Sequence, residues 1–148
     1  NINPILEIKI KSGLVGNKKS FKLPSINFTQ NFNIDDFRNI LNLARLPKHI
    51  LGEIILLDFT LLNSYSRNYF LSSCKNIRLT YDSDLYYFNI KNYTMGKLYS
   101  VKDELTIIEL KYNKENDYIV SKIANCFPFR LSKNSKYVNG FNLIRSVS

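Results

Sequence analysis

The chain has 148 residues, with 21 Lys plus Arg against 12 Asp plus Glu, a net charge of +9 and 45% hydrophobic residues. That length and apolar content suit a single folded domain and exclude a disordered tail. A membrane-spanning helix is excluded as well, because the longest apolar stretch, Ile50 to Leu62, is too short and is broken by Gly52, Glu53 and Asp58.

In chain order, Ile5 to Lys11 alternates apolar and charged residues, which is strand periodicity. Ser12-Gly13 and Gly16-Asn17 mark a turn, and Lys18 to Leu23 reads as the returning strand, stopped by Pro24. Asn27 to Asn33 lacks a period and reads as loop. From Ile34 to Leu46, apolar residues at 34, 37, 40, 41 and 44 give helix spacing, with Asn33 placed to cap the start and Pro47 to end it. Ile54 to Leu62 is continuously apolar and reads as a buried strand. Ser64 to Ser72, Asn76 to Asp82, Leu85 to Asn89 and Leu105 to Tyr112 are rich in β-branched and aromatic residues and read as further strands. Glu115 to Asn125 reads as a helix, and a short one is expected over Val138 to Arg145.

The cationic excess draws polyanions such as nucleic acid, polyphosphate or acidic lipid, but a biased codon pool in an Asn- and Lys-rich chain accounts for the charge alone equally well. Cys74 and Cys126 stand in no C-x-x-C pair, which argues against zinc. They are expected to be two buried thiols of an intracellular protein. The one histidine, His49, falls in an expected loop and is poor ground for a catalytic Ser-His or Cys-His unit.

The informative pattern lies on the strands, where residues i and i+2 share a face. Glu7, Lys9 and Lys11 share one face, Arg78, Thr80 and Asp82 another, and Ile107, Glu109 and Lys111 a third, with Arg67 between Tyr65 and Tyr69. A half-exposed antiparallel strand alternates in the same way and puts its charges in solvent. The recurrence of Arg and Lys favours the other arrangement, a sheet whose apolar face is covered by helices and whose charged face lines a wet lumen. Such a lumen needs an anionic occupant, because converging like charges are costly without one. Arg grips phosphate oxygens bidentately and Lys supplies a compact charge. A carboxylate among them, such as Glu109, can hold Mg²⁺ or Mn²⁺, whose shell water and phosphate oxygens complete. Asp82 reads as a hydrogen-bonded partner for Arg78, Asp84 as turn chemistry, and Lys18-Lys19 as a solvated turn. Tyr65, Tyr69 and Tyr86 to Phe88 suit either core packing or stacking of a nucleotide base.

The segments L-E-I-K-I-K, S-Y-S-R-N-Y-F, I-R-L-T-Y-D-S-D-L, I-I-E-L-K-Y and S-K-Y occur in the order found in the vacuolar transporter chaperone (VTC) polyphosphate polymerase domain, which they resemble from about Pro4 to Val138. The resemblance implies a triphosphate tunnel metalloenzyme: an α+β fold in which an antiparallel β-barrel forms a basic tunnel with helices packed outside. It implies phosphotransfer from a nucleoside triphosphate onto a growing polyphosphate chain, with a divalent metal, Mn²⁺ or Mg²⁺, as cofactor. Carried over residue by residue, Arg67, Arg78 and Lys136 become the catalytic phosphate-binding cations. Lys9, Lys11, Lys111 and Ser135 become further substrate contacts, and Glu109 the metal ligand. The chain departs from the family pattern in two respects. The family's opening basic strands lie outside residues 1–148, which correspond to the C-terminal portion of the domain and an incomplete barrel. A basic position on the second strand is occupied by Phe21. Expected partners are nucleoside triphosphate, polyphosphate and a membrane protein or second copy of the chain, on the cytosolic side. The alternatives are a non-catalytic polyphosphate- or phosphoinositide-binding module and, well below it, a nucleic-acid-binding barrel, for which no RNP-like or helix-turn-helix motif is present.

Overall fold

A computed structural model describes residues 2–12, 15–26, 34–90, 99–130 and 132–147. Its architecture is α+β, with antiparallel sheets and four α-helices among the described residues. It divides into two compact units, Asn1–Phe59 and Thr60–Ser148.

In the first unit, β1 (Ile5–Ser12) and β2 (Val15–Lys22) form an antiparallel hairpin in which Lys9 faces Lys18 and Leu6 faces Phe21. Helices α1 (Ile34–Leu43) and α2 (Lys48–Ile55) follow. The core is Leu23, Leu41 and Ala44, with Leu6, Phe37, Ile40, Leu51, Ile54 and Phe59 packed around it. Phe37 and Phe59 meet edge to face, their centroids 4.8 Å apart.

In the second unit, β4 (Ile77–Asn89) is the centre of a four-stranded sheet. On one side it pairs with β3 (Leu61–Leu71). On the other it pairs end to end with β5 (Ser100–Asp103) and β6 (Ile107–Tyr112). A turn of 3₁₀-helix, Lys114–Asn116, leads into α3 (Asp117–Asn125), and α4 (Lys136–Val147) closes the chain. Leu85, Tyr87 and Ile144 form the core of this unit, with Leu61, Val101, Ile107 and Leu143 around them, so α4 lies across the β5 end of β4. Gly140 makes this approach possible, because the ring of Tyr87 occupies the space its Cβ would need.

β4 carries an extra residue: Ser66 pairs with Ser83, but Ser64 pairs with Tyr86. The bulge contains Asp84, whose φ is 51°. Burial changes phase there, from Thr80 and Asp82 before the bulge to Leu85 and Tyr87 after it. All four residues therefore sit on one face of the sheet. The expected pair of strands, Asn76 to Asp82 and Leu85 to Asn89, is this single strand, and Asp84 belongs to a bulge within it.

Other expectations are corrected. Ile54 to Leu62 is not a buried strand: Ile50, Leu51 and Ile54 are at helix spacing and serve α2, while Leu56 and Leu57 are exposed. His49 lies in α2 instead of a loop. Lys18 and Lys19 lie within β2, as does the expected turn at Gly16-Asn17. Cys74 and Cys126 are exposed, not buried. The expected Asn33 cap and the loop at Asn27 to Asn33 fall outside the described residues. A closed barrel is not seen among the described residues, and no described helix is long and apolar enough to cross a membrane.

Candidate functional site

Register partners in an antiparallel pair present their side chains on the same face. Arg67 on β3 pairs with Asp82, which pairs on its other side with Ile107 of β6. The next row is Tyr69, Thr80 and Glu109, and the third is Leu71, Arg78 and Lys111. One face of the sheet thus carries Arg67, Arg78, Asp82, Glu109 and Lys111. The opposite face carries Ile77, Leu79 and Tyr81 beside Tyr112, Leu110 and Ile108.

Asp82 is the hub. Its side chain is 1% exposed and accepts Arg67 Nε at 2.5 Å on Oδ1 and Arg67 Nη2 at 2.7 Å on Oδ2. Lys136 Nζ, from the first turn of α4, donates to the same Oδ2. A lysine at a helix N-terminus opposes the helix dipole, and the carboxylate offsets that. Both cations also lie over the ring of Tyr65, Arg67 at 4.9 Å and Lys136 at 4.8 Å from its centroid, and Arg67 lies 5.9 Å from that of Tyr69. Ser135 caps α4, its Oγ accepting the N–H of Val138 at 3.4 Å.

The hydrogen bonds that Arg67 donates to Asp82 raise its guanidinium above its usual pKa, against the opposing effect of burial. Asp82 itself is held below the usual carboxylate range, chiefly by Arg67 and further by Lys136, although burial acts the other way. A folded pKa below the unfolded value of about 3.9 means that this stabilisation is full at neutral pH and is lost as pH falls through the folded value. In urea unfolding, the stability gap between the wild type and Asp82→Asn is therefore expected to be present at pH 7 and to close below about pH 4. A gap that stays constant down to acid pH contradicts the ionised hub.

Arg67 and Lys136 are thus brought together, their side chains only 22% and 18% exposed. Arg78, Glu109 and Lys111 line the same face but are exposed, and Glu109 lies 3.5 Å from Lys111. Lys9 is exposed on β1, in the other unit, and Lys11 pairs with Gly16 in the same hairpin. Asp82 is not the partner expected for Arg78: the β3–β4 register places it opposite Arg67. Sequence reasoning missed this carboxylate as the organiser of the site, although its position in R-x-T-x-D already put it on the charged face. It also missed Thr80, whose Oγ1 is buried on that face without a hydrogen-bond partner.

Among the described residues no three His, Cys, Asp or Glu side chains cluster as metal ligands. Glu109 is a single exposed carboxylate, since Asp82 is occupied by two cations. That donor set fits a hard divalent ion that arrives with a triphosphate and completes its shell with phosphate oxygens and water. The family model of the VTC domain matches residues 2–145. No curated protein and no solved structure matches the chain.

Proposed function

The chain belongs to the VTC domain family, which is associated with polyphosphate metabolism, and from that premise we propose that the charged face of its Thr60–Ser148 unit binds a nucleoside triphosphate and a polyphosphate chain and transfers the terminal phosphate of one onto the other. The observation that supports this best is the convergence of Arg67 and Lys136, from elements far apart in sequence, on one face with Arg78 and Lys111. Phosphoryl transfer requires positioning and charge neutralisation more than a covalent group. Arg67 and Arg78 supply forked donors to phosphate oxygens, and Lys111 and Lys136 supply point charges. Ser135, at the start of α4, is proposed as a further contact, and Lys9 and Lys11 as substrate contacts made by the hairpin of the first unit. The acceptor is a terminal phosphate, already an anion, so no general base is required. In this proposal the sheet is part of the wall of a basic tunnel barrel. Glu109 would hold Mn²⁺ or Mg²⁺, which would supply charge neutralisation at the transferred phosphoryl group.

The test is polyphosphate synthesis by the purified protein from ATP with Mn²⁺ or Mg²⁺. Glu109→Ala is expected to lower synthesis by about 10³-fold or more, with the folded state and tripolyphosphate affinity little changed. Unaltered product from that variant removes Glu109 from the mechanism. The absence of a three-ligand acidic cluster among the described residues favours one second reading, a polyphosphate-binding module without turnover. Tripolyphosphate binding accompanied by no synthesis under any of these conditions selects it.

A further inference from the structure

The phosphate contacts proposed above leave Asp82 without a role, although it is the most buried charged group of the site. A carboxylate on two cations could act in either of two ways. It could stand in for a phosphate and leave when one binds, or it could remain and hold the cations in place.

The geometry favours the second. Asp82 lies on the central strand, laddered to β3 through Arg67 and to β6 through Ile107, with a side chain only 1% exposed, so it has no open space to swing into. Expelled from both partners, it would be an uncompensated buried charge, which is strongly unfavourable. The donors also divide well. A guanidinium has five N–H groups in one plane, and Asp82 takes the edge formed by Nε and Nη2. The other edge, Nη1 with the second N–H of Nη2, faces away from Asp82 and can act as a bidentate fork, with the Tyr69 hydroxyl also accepting from this guanidinium. Lys136 uses one of its three N–H groups on Oδ2 and keeps the others. Asp82 also offsets the repulsion between two cations that lie over one tyrosine ring.

We propose that Asp82 is a positioning residue that stays on Arg67 and Lys136 while phosphate is bound, fixing the guanidinium so that its Nη1/Nη2 edge meets the anion. This rests on the phosphate-binding reading of the site.

Two measurements on the intact chain, both with tripolyphosphate as the probe, test it. The first follows the Arg67 Nε–H resonance of the wild-type protein by NMR during titration. It is expected to persist, protected from solvent exchange, through saturation. Its loss on binding means that Asp82 has been displaced and overturns the proposal. The second is Asp82→Asn, which removes the charge but keeps an acceptor. Turnover is expected to fall about tenfold or more while tripolyphosphate affinity is held or tightened, because the site gains positive charge. Unchanged turnover and affinity, or a parallel fall in both, overturns the proposal. If the wild-type protein does not bind tripolyphosphate at all, the phosphate reading falls and the role of Asp82 with it. If it binds and only these two signatures fail, Asp82 alone is misassigned.

Discussion

Arg67→Ala is expected to cost the protein both stability and phosphate affinity, and the two losses have separate origins. The stability loss comes from Asp82, which remains buried with only Lys136 beside it. Removing one partner of a buried pair costs about 3–5 kcal/mol, and the remaining lysine argues for the lower end. At about 3 kcal/mol, the melting temperature of a chain this size falls by about 10 °C. The affinity loss comes from the missing fork: a charge-assisted hydrogen bond contributes about 1.5–3 kcal/mol, so losing a bidentate pair weakens tripolyphosphate binding by about 10²-fold or more. Arg67→Lys separates the two effects. It restores a charge for Asp82 and part of the stability, but no fork for phosphate. Calorimetric melting with titration of both variants checks this, and a lysine variant that binds as tightly as the wild type rules out bidentate recognition.

Gly140→Ala is expected to destabilise the second unit by about 3 kcal/mol, near the upper end of what overpacking usually costs. In an ordinary helix the same change stabilises by roughly 1 kcal/mol. Here the added Cβ would stand 2.7 Å from Cε1 and Cγ of Tyr87 and closer still to Cδ1. Tyr87 cannot give way, because it is fully buried on the central strand. Burial, with the charge of Asp103 nearby, also pushes its hydroxyl pKa up to about 12. The helix must therefore lift, and Lys136, one turn before Gly140, moves away from Asp82. The control is Gly52→Ala in α2, where nothing lies within 4 Å of the new Cβ. That variant is expected to melt at or above the wild-type temperature. Equal melting curves for the two substitutions refute the packing argument.

Local patterns in the sequence carried much of the fold. The alternation of Ile5 to Lys11 identified β1. The R-x-T-x-D and E-x-K spacings placed Arg78, Thr80 and Asp82, and then Glu109 and Lys111, on shared faces, and the register joins those two sets into one. What escaped depends on distance along the chain. Which cation faces Asp82 is decided by the β3–β4 register, which no local pattern states. The apolar stretch from Ile54 to Leu62 reads as a strand until the core around Leu41 claims Leu51 and Ile54 for a helix. β5 has only four residues, two of them charged, too few to show a period. The cysteines were expected to be buried from the habits of free thiols, yet both are exposed.

The supernumerary residue at Asp84 makes chain length at that point a functional quantity. Loop segments ordinarily tolerate gain or loss of a residue, but β4 does not have that latitude here. Deleting Asp84 would restore strict alternation, turn Leu85 and Tyr87 toward the far side of the sheet and bring Tyr86 and Phe88 beneath α4. The greasy seat of the helix would then lie on the reverse side from Asp82, and Lys136 could not serve both. One codon thus keeps the anchoring of α4 and the ionic cluster in phase.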